Sequence, residues 1–186
     1  MKPQIAFLIA ALGMAGCTAN KPVTYLVLSP VPGPVFQASG QTIAVGAVSM
    51  PPSIDRSALT TGSSATTLNI SYDAQWAAPL ETMAQTVLAR DLAARLPGHR
   101  VLMPGDNVPG QALIVSANIV TFLPYTGHVV LAADWNAATN TAKIMETGRV
   151  QIITPSSATP QAQALAMSQA LGHLADEIAS RIAENP

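Results

Sequence analysis

Cys17 is the only thiol in a chain of 186 residues, so an internal disulfide is excluded, and an exposed lone thiol is a liability unless it is modified. The other residues able to do chemistry do not assemble into a set. His99, His128 and His173 are scattered, and none has the paired spacing on a helix that a zinc site of the H-E-x-x-H type requires, so no metal is expected. Serines are plentiful, but no G-x-S-x-G elbow exposes one as a nucleophile and no Gly-rich Lys-Ser/Thr loop could cradle a phosphate. Asp55-Arg56 reads as a surface ion pair or as a helix or turn cap. Trp76, and Trp135 beside Asp134, read as core anchors or exposed docking side chains. Neither catalysis nor a cofactor is expected of such a chain.

The elements that carry these residues can be read from periodicity. From Trp76 to Leu96, large apolar residues fall at Trp76, Leu80, Met83, Val87, Leu88, Leu92 and Leu96, one stripe of an α-helix. Pro79 suits the first turn and Pro97-Gly98 stops the helix. Gln85, Thr86, Arg90 and Arg95 form its wet face. A second amphipathic helix closes the chain, with Met167, Leu171, Leu174, Ile178 and Ile182 buried and Asp176, Glu177, Arg181 and Glu184 mostly wet, His173 among its face residues. Short strands are expected at 25–28, 43–48, 68–72 and 99–103, with a loop or two short strands over 57–67. Ala112 to Val120 alternates Leu113, Val115, Ala117 and Ile119 with Ile114, Ser116, Asn118 and Val120, a strand with both faces at least partly covered. His128 to Trp135 and Lys143 to Ile153 form an antiparallel hairpin around an Asn/Thr-rich turn. The expected fold is a single α/β domain, residues 25–186, in which a mixed β-sheet of about five strands packs with two long amphipathic helices.

Ahead of that domain stands an address. Met1-Lys2, the apolar run Ile5 to Leu12 and small residues up to Cys17 make a secretory signal too short to span a bilayer and stay. Met14-Ala15-Gly16-Cys17 resembles the lipobox of bacterial lipoproteins, where cleavage before the Cys is coupled to its acylation. Residues 1–16 are then a signal peptide and 17–24 a lipidated tether. Each buried methylene adds about 0.8 kcal/mol of membrane affinity, so several acyl chains hold a domain at a bilayer durably. Thr18 stands where Asp would favour retention at the inner membrane, which implies the outer membrane, facing the periplasm.

Composition narrows the partners. Hydrophobic residues make up 49% of the chain and charged residues 10%, yet no apolar run after the N-terminus reaches the length of a membrane span. Nine basic against ten acidic residues leave a net charge of −1, which argues against a nucleic-acid partner. So little charge opposes association weakly, and a homo-oligomer is compatible with it.

Several segments together resemble a known family: Tyr25-Leu26-Val27-Leu28-Ser29-Pro30; Ile43 to Pro51 followed by Ile54-Asp55-Arg56; Gln75-Trp76-Ala77-Ala78-Pro79-Leu80 leading to Asp91-Leu92-Ala93-Ala94-Arg95-Leu96; and Gly127 to Trp135 with the Ala/Leu/Ser-rich final helix. Their order and spacing are similar to those of the ABC-type transport auxiliary lipoproteins. Ala78 departs from the acidic residue common at that place. The resemblance implies a periplasmic lipoprotein accessory of a system that also contains an ATPase, a permease and a membrane-anchored MCE-domain protein, and that moves lipids between two membranes. It implies docking of the MCE protein, acylated Cys17 as the anchor, and Asp55, Arg56 and Trp76 as candidate partner contacts. A lipid carrier holding an acyl chain itself and a self-assembling structural lipoprotein are the competing readings.

Overall fold

The structure, a computed structural model, describes residues 22–38, 40–139, 141 and 143–184. Cys17, the signal peptide and most of the tether lie outside these residues. Eight strands and two helices follow in the order β1 (Thr24–Leu26), β2 (Ile43–Ser49), β3 (Ala58–Ser64), β4 (Thr67–Trp76), α1 (Leu80–Arg95), β5 (Val101–Leu102), β6 (Leu113–Tyr125), β7 (His128–Thr139), β8 (Ile144–Pro155) and α2 (Pro160–Glu184).

The strands form two sheets. The larger is the expected five-stranded mixed sheet, ordered β5-β2-β6-β7-β8, with β2 parallel to both β5 and β6 and the rest an antiparallel meander. Parallel pairing of β2 with β6 needs a crossover, and the intervening chain, α1 included, supplies it. The smaller sheet, ordered β1-β4-β3, was not resolved as a sheet by sequence reasoning: the segment expected as a loop or two short strands is β3 and the start of a ten-residue β4.

Both helices lie on one face of the large sheet, α1 against β2 and α2 against β7 and β8, and pack on each other. The stripes read from the sequence are the buried ones: Leu80, Val87, Leu88, Leu92 and Leu96 from the α1 region, and Met167, Leu171, Leu174, Ile178 and Ile182 from α2. They meet Val115, Ala117, Ile119, Leu131, Ala133 and Trp135 of the sheet in one core. Each fully buried Leu or Ile contributes roughly 1.5–3 kcal/mol by leaving water.

Two expectations need correction. The first helix begins at Leu80, not Trp76. Trp76 is the last residue of β4, paired in parallel register with Leu26, and its N–H donates to the Ser57 carbonyl (2.6 Å). Pro79, extended at φ −51° and ψ 131°, excludes the α conformation from the residue before it, so the helical spacing of Trp76 was coincidental. Arg95 is not on a wet face: it is 1% exposed. As expected, the second face of β6 is only partly covered: it is open or half-open at Ser116, Asn118 and Val120, with no helix over it, and buried at the Leu123-Pro124 end, where β3 lies against β6.

Gly127, at φ 83°, closes the two-residue β6–β7 turn between Tyr125 and His128, a backbone conformation that a side chain would strain.

Candidate functional site

The three histidines remain apart. His99 is buried with Nδ1 3.1 Å from the Gln41 carbonyl, His128 stacks on Tyr125 with centroids 5.6 Å apart, and Nδ1 of His173 lies 3.3 Å from Asp176 Oδ2. Among the described residues, no three His, Cys, Asp or Glu side chains are placed to share a metal ion.

Asp55, Arg56 and Trp76, distant in sequence, do come together. With Ser57, Ala78 and Pro79 they border an open hollow of about 380 Å³ at the N-terminus of α1. The Pro51–Arg56 turn is held by Ile54 and Asp55 N–H groups donating to the Pro51 carbonyl, and it aims Asp55 at the helix. Asp55 Oδ1 accepts the Glu81 N–H (3.3 Å), while Glu81 Oε1 accepts the Met50 N–H (2.9 Å). Of the two sequence options for Asp55, the structure takes the cap: a carboxylate satisfying a first-turn N–H at the positive end of the helix. Arg56 is exposed and has no ion-pair partner among the described residues. Trp76 is 4% exposed and forms the floor rather than the rim.

A second cluster was missed. Arg95 Nε donates to Asp176 Oδ1; its Nη1 donates to the Asp91 and Val31 carbonyls and its Nη2 to the Gly172 carbonyl. The Asp91 carboxylate lies 3.4 Å from Arg95 Nη1 and accepts the Val31 N–H (2.9 Å), and its Oδ2 has no partner. Burial pushes the Asp91 carboxyl above its ordinary range, against the opposing pull of the Val31 N–H and of Arg95. The cluster clamps residues 29–36, the Pro/Gly segment after β1, across both helices. Ser29 N–H donates to Ser168 Oγ and Phe36 N–H to the Arg95 carbonyl. Gly33 must lack a side chain, because a Cβ there would overlap the guanidinium. The i, i+4 spacing of Asp91 and Arg95 was the only signal in the sequence, and on an exposed face it would have meant little.

The third arrangement is the uncovered face of the large sheet. A trough of about 680 Å³ runs over Ser49, Ser116, Asn118, Asn136 and Thr147 to the Asp134 and Arg149 pair, and a hollow of about 470 Å³ beside Val120 and Ala132 lies past that pair. Ser49 Oγ donates to Asn118 Oδ1 (3.1 Å). The Arg149 guanidinium holds the Asp134 carboxyl below its usual range and is itself raised by it. This surface mixes apolar groups with hydrogen-bonding side chains and the Asp134–Arg149 ion pair.

Known structures share the architecture. A crystal structure of an uncharacterized protein superposes with a TM-score of 0.72 at 16% identity, covering 87% of this chain and 99% of the other. A protein of Xanthomonas campestris does so with a TM-score of 0.65 at 16% identity, covering 87% and 96%. At such identity the likeness defines the fold class. The profile of the ABC-type transport auxiliary lipoprotein component matches residues 25–179, and the chain belongs to that family. No curated protein sequence matches it. It is thus an auxiliary component of ABC-type transport, and no described helix is long and apolar enough to cross a membrane.

Proposed function

We propose that the mature chain begins at an acylated Cys17, sits on the periplasmic side of the outer membrane, and docks the MCE-domain protein of an ABC transport system that moves lipids between the membranes. The observation that carries this reading is an auxiliary-lipoprotein domain over residues 25–179 preceded at once by Met14-Ala15-Gly16-Cys17. The hollows described above are open to solvent rather than enclosed, which favours docking a protein over storing an acyl chain. Arg56, exposed at the rim of the hollow floored by Trp76, is offered to a carboxylate of the partner. Crosslinking in intact envelopes followed by purification of the chain should recover an MCE-domain protein. Its absence from the crosslinked material refutes the docking role.

A further inference from the structure

The β3–β4 ribbon stands out from the rest of the surface. From Ser57 to Tyr72 there is no Asp, Glu, Lys or Arg, although Arg56 and Asp73 flank the stretch on either side. Leu68 and Ile70, 41% and 43% exposed, stand at alternate positions that a strand directs to one face, and Tyr72, 92% exposed, lies just beyond them where the β3–β4 register shifts. Gly62, opposite Leu68, lies against the Tyr125 ring at the foot of this face. Toward its tip the ribbon is two strands only, because β1 pairs with β4 solely over Ala74 to Trp76. A two-stranded ribbon with exposed apolar side chains is marginal in water unless something covers it.

The direction of β1 says what lies beside it. Thr24 pairs with Ala74 and Leu26 with Trp76 in parallel, so the chain enters β1 from the end toward which β4 runs back to the ribbon tip. Cys17 is seven residues before Thr24, and the tip at Thr67 is seven residues before Ala74. Seven residues span at most about 23–25 Å, enough for the tether to run the length of the ribbon. Resting on the reading of Cys17 as a lipid anchor, we propose that the ribbon is a second, protein-borne membrane contact, with Leu68, Ile70 and Tyr72 entering the headgroup boundary of the bilayer that holds the acyl chains. An uncharged, hydroxyl-rich surface enters that layer without desolvating an ion, and Tyr is favoured there by its apolar ring and polar tip. The free edge of β4 keeps the contact shallow, since its unpaired backbone groups need water or headgroups and could not be satisfied in hydrocarbon. Two contacts at one end of the domain would fix its orientation, which a flexible tether alone does not.

The test uses the full acylated chain in phosphatidylethanolamine/phosphatidylglycerol vesicles, with Tyr72→Cys labelled by an environment-sensitive fluorophore. Acylated Cys17 offers no free thiol, so the label is unique. Arg181→Cys, on the exposed side of α2, is the control. The emission at position 72 should shift to the blue and be quenched by spin-labelled lipid, while that at 181 should do neither. A water-like, unquenched signal at 72 in a chain whose N-terminal peptide carries the acyl mass overturns the ribbon contact and leaves the anchor standing. A blue shift that lipid quencher does not touch means that protein covers the ribbon, and also overturns it. An N-terminal peptide without acyl mass overturns both the anchor and the contact built on it.

Discussion

Arg95 has almost no water around it, and two carboxylates and three carbonyls surround its guanidinium instead. Arg95→Met removes the guanidinium between Asp91 and Asp176 and should cost about 3–5 kcal/mol, the usual penalty for stranding a buried charge, measured by urea denaturation. The clamped segment 29–36 should then exchange its amide hydrogens faster than in the parent. Asp91 makes a separate prediction with a defined sign. Its folded-state pKa is raised above the unfolded value of 3.8, so its contribution is complete below 3.8 and is lost as pH rises through the folded pKa. Asp91→Asn should therefore be most destabilised relative to the parent in acid, and the gap should narrow toward neutrality in thermal melts across that range. Asp55 and Arg56 part company despite being neighbours. Asp55→Ala strands a first-turn N–H of α1 and should cost about 1 kcal/mol, whereas Arg56→Ala should leave the denaturation midpoint unchanged and weaken capture of the MCE partner.

At the scale of elements, β4 and α1 compete for the residues between Asp73 and Leu80. Apolar spacing assigned Trp76 to the helix; the strand keeps it through the Leu26 register and the Ser57 carbonyl, and Pro79 fixes the boundary. Periodicity within an element was legible at α2 and β6 because one face of each meets the core along nearly its whole length. It left 57–67 open between a loop and two short strands, because the ribbon there has little core to face and Ser, Thr and Gly are uninformative about period. A cross-strand contact in the large sheet was equally invisible: the Trp135 indole lies over Gly148, its partner on β8, so a Cβ there would overlap the ring. Gly148→Ala should cost about 1–3 kcal/mol by overpacking and alter the near-ultraviolet circular dichroism of the Trp.

For the molecule as a whole, the proposed anchoring and the folding are expected to be separable. Cys17 precedes the packed domain, so Cys17→Ser should abolish the acyl mass proposed for residue 17, measured by mass spectrometry, and leave the melting temperature unchanged. A variant that melts lower would show that the residue belongs to the fold. What the sequence by itself determined was local or periodic: the lipobox-like run, the two helices with their buried stripes, the long hairpin and the colinear motifs of the family. Each is a matter of neighbours in the chain or of a repeat set by backbone geometry. Only the tertiary structure decided that Arg95 is buried, that Asp55 caps a helix 25 residues away, that the large sheet keeps one face open, and that β1 runs parallel to β4 with Thr24 at the end nearer the ribbon tip. Those outcomes depend on which surfaces meet across long sequence separations, and a charge or a hydroxyl shows no sign in the chain of the partner that will cover it.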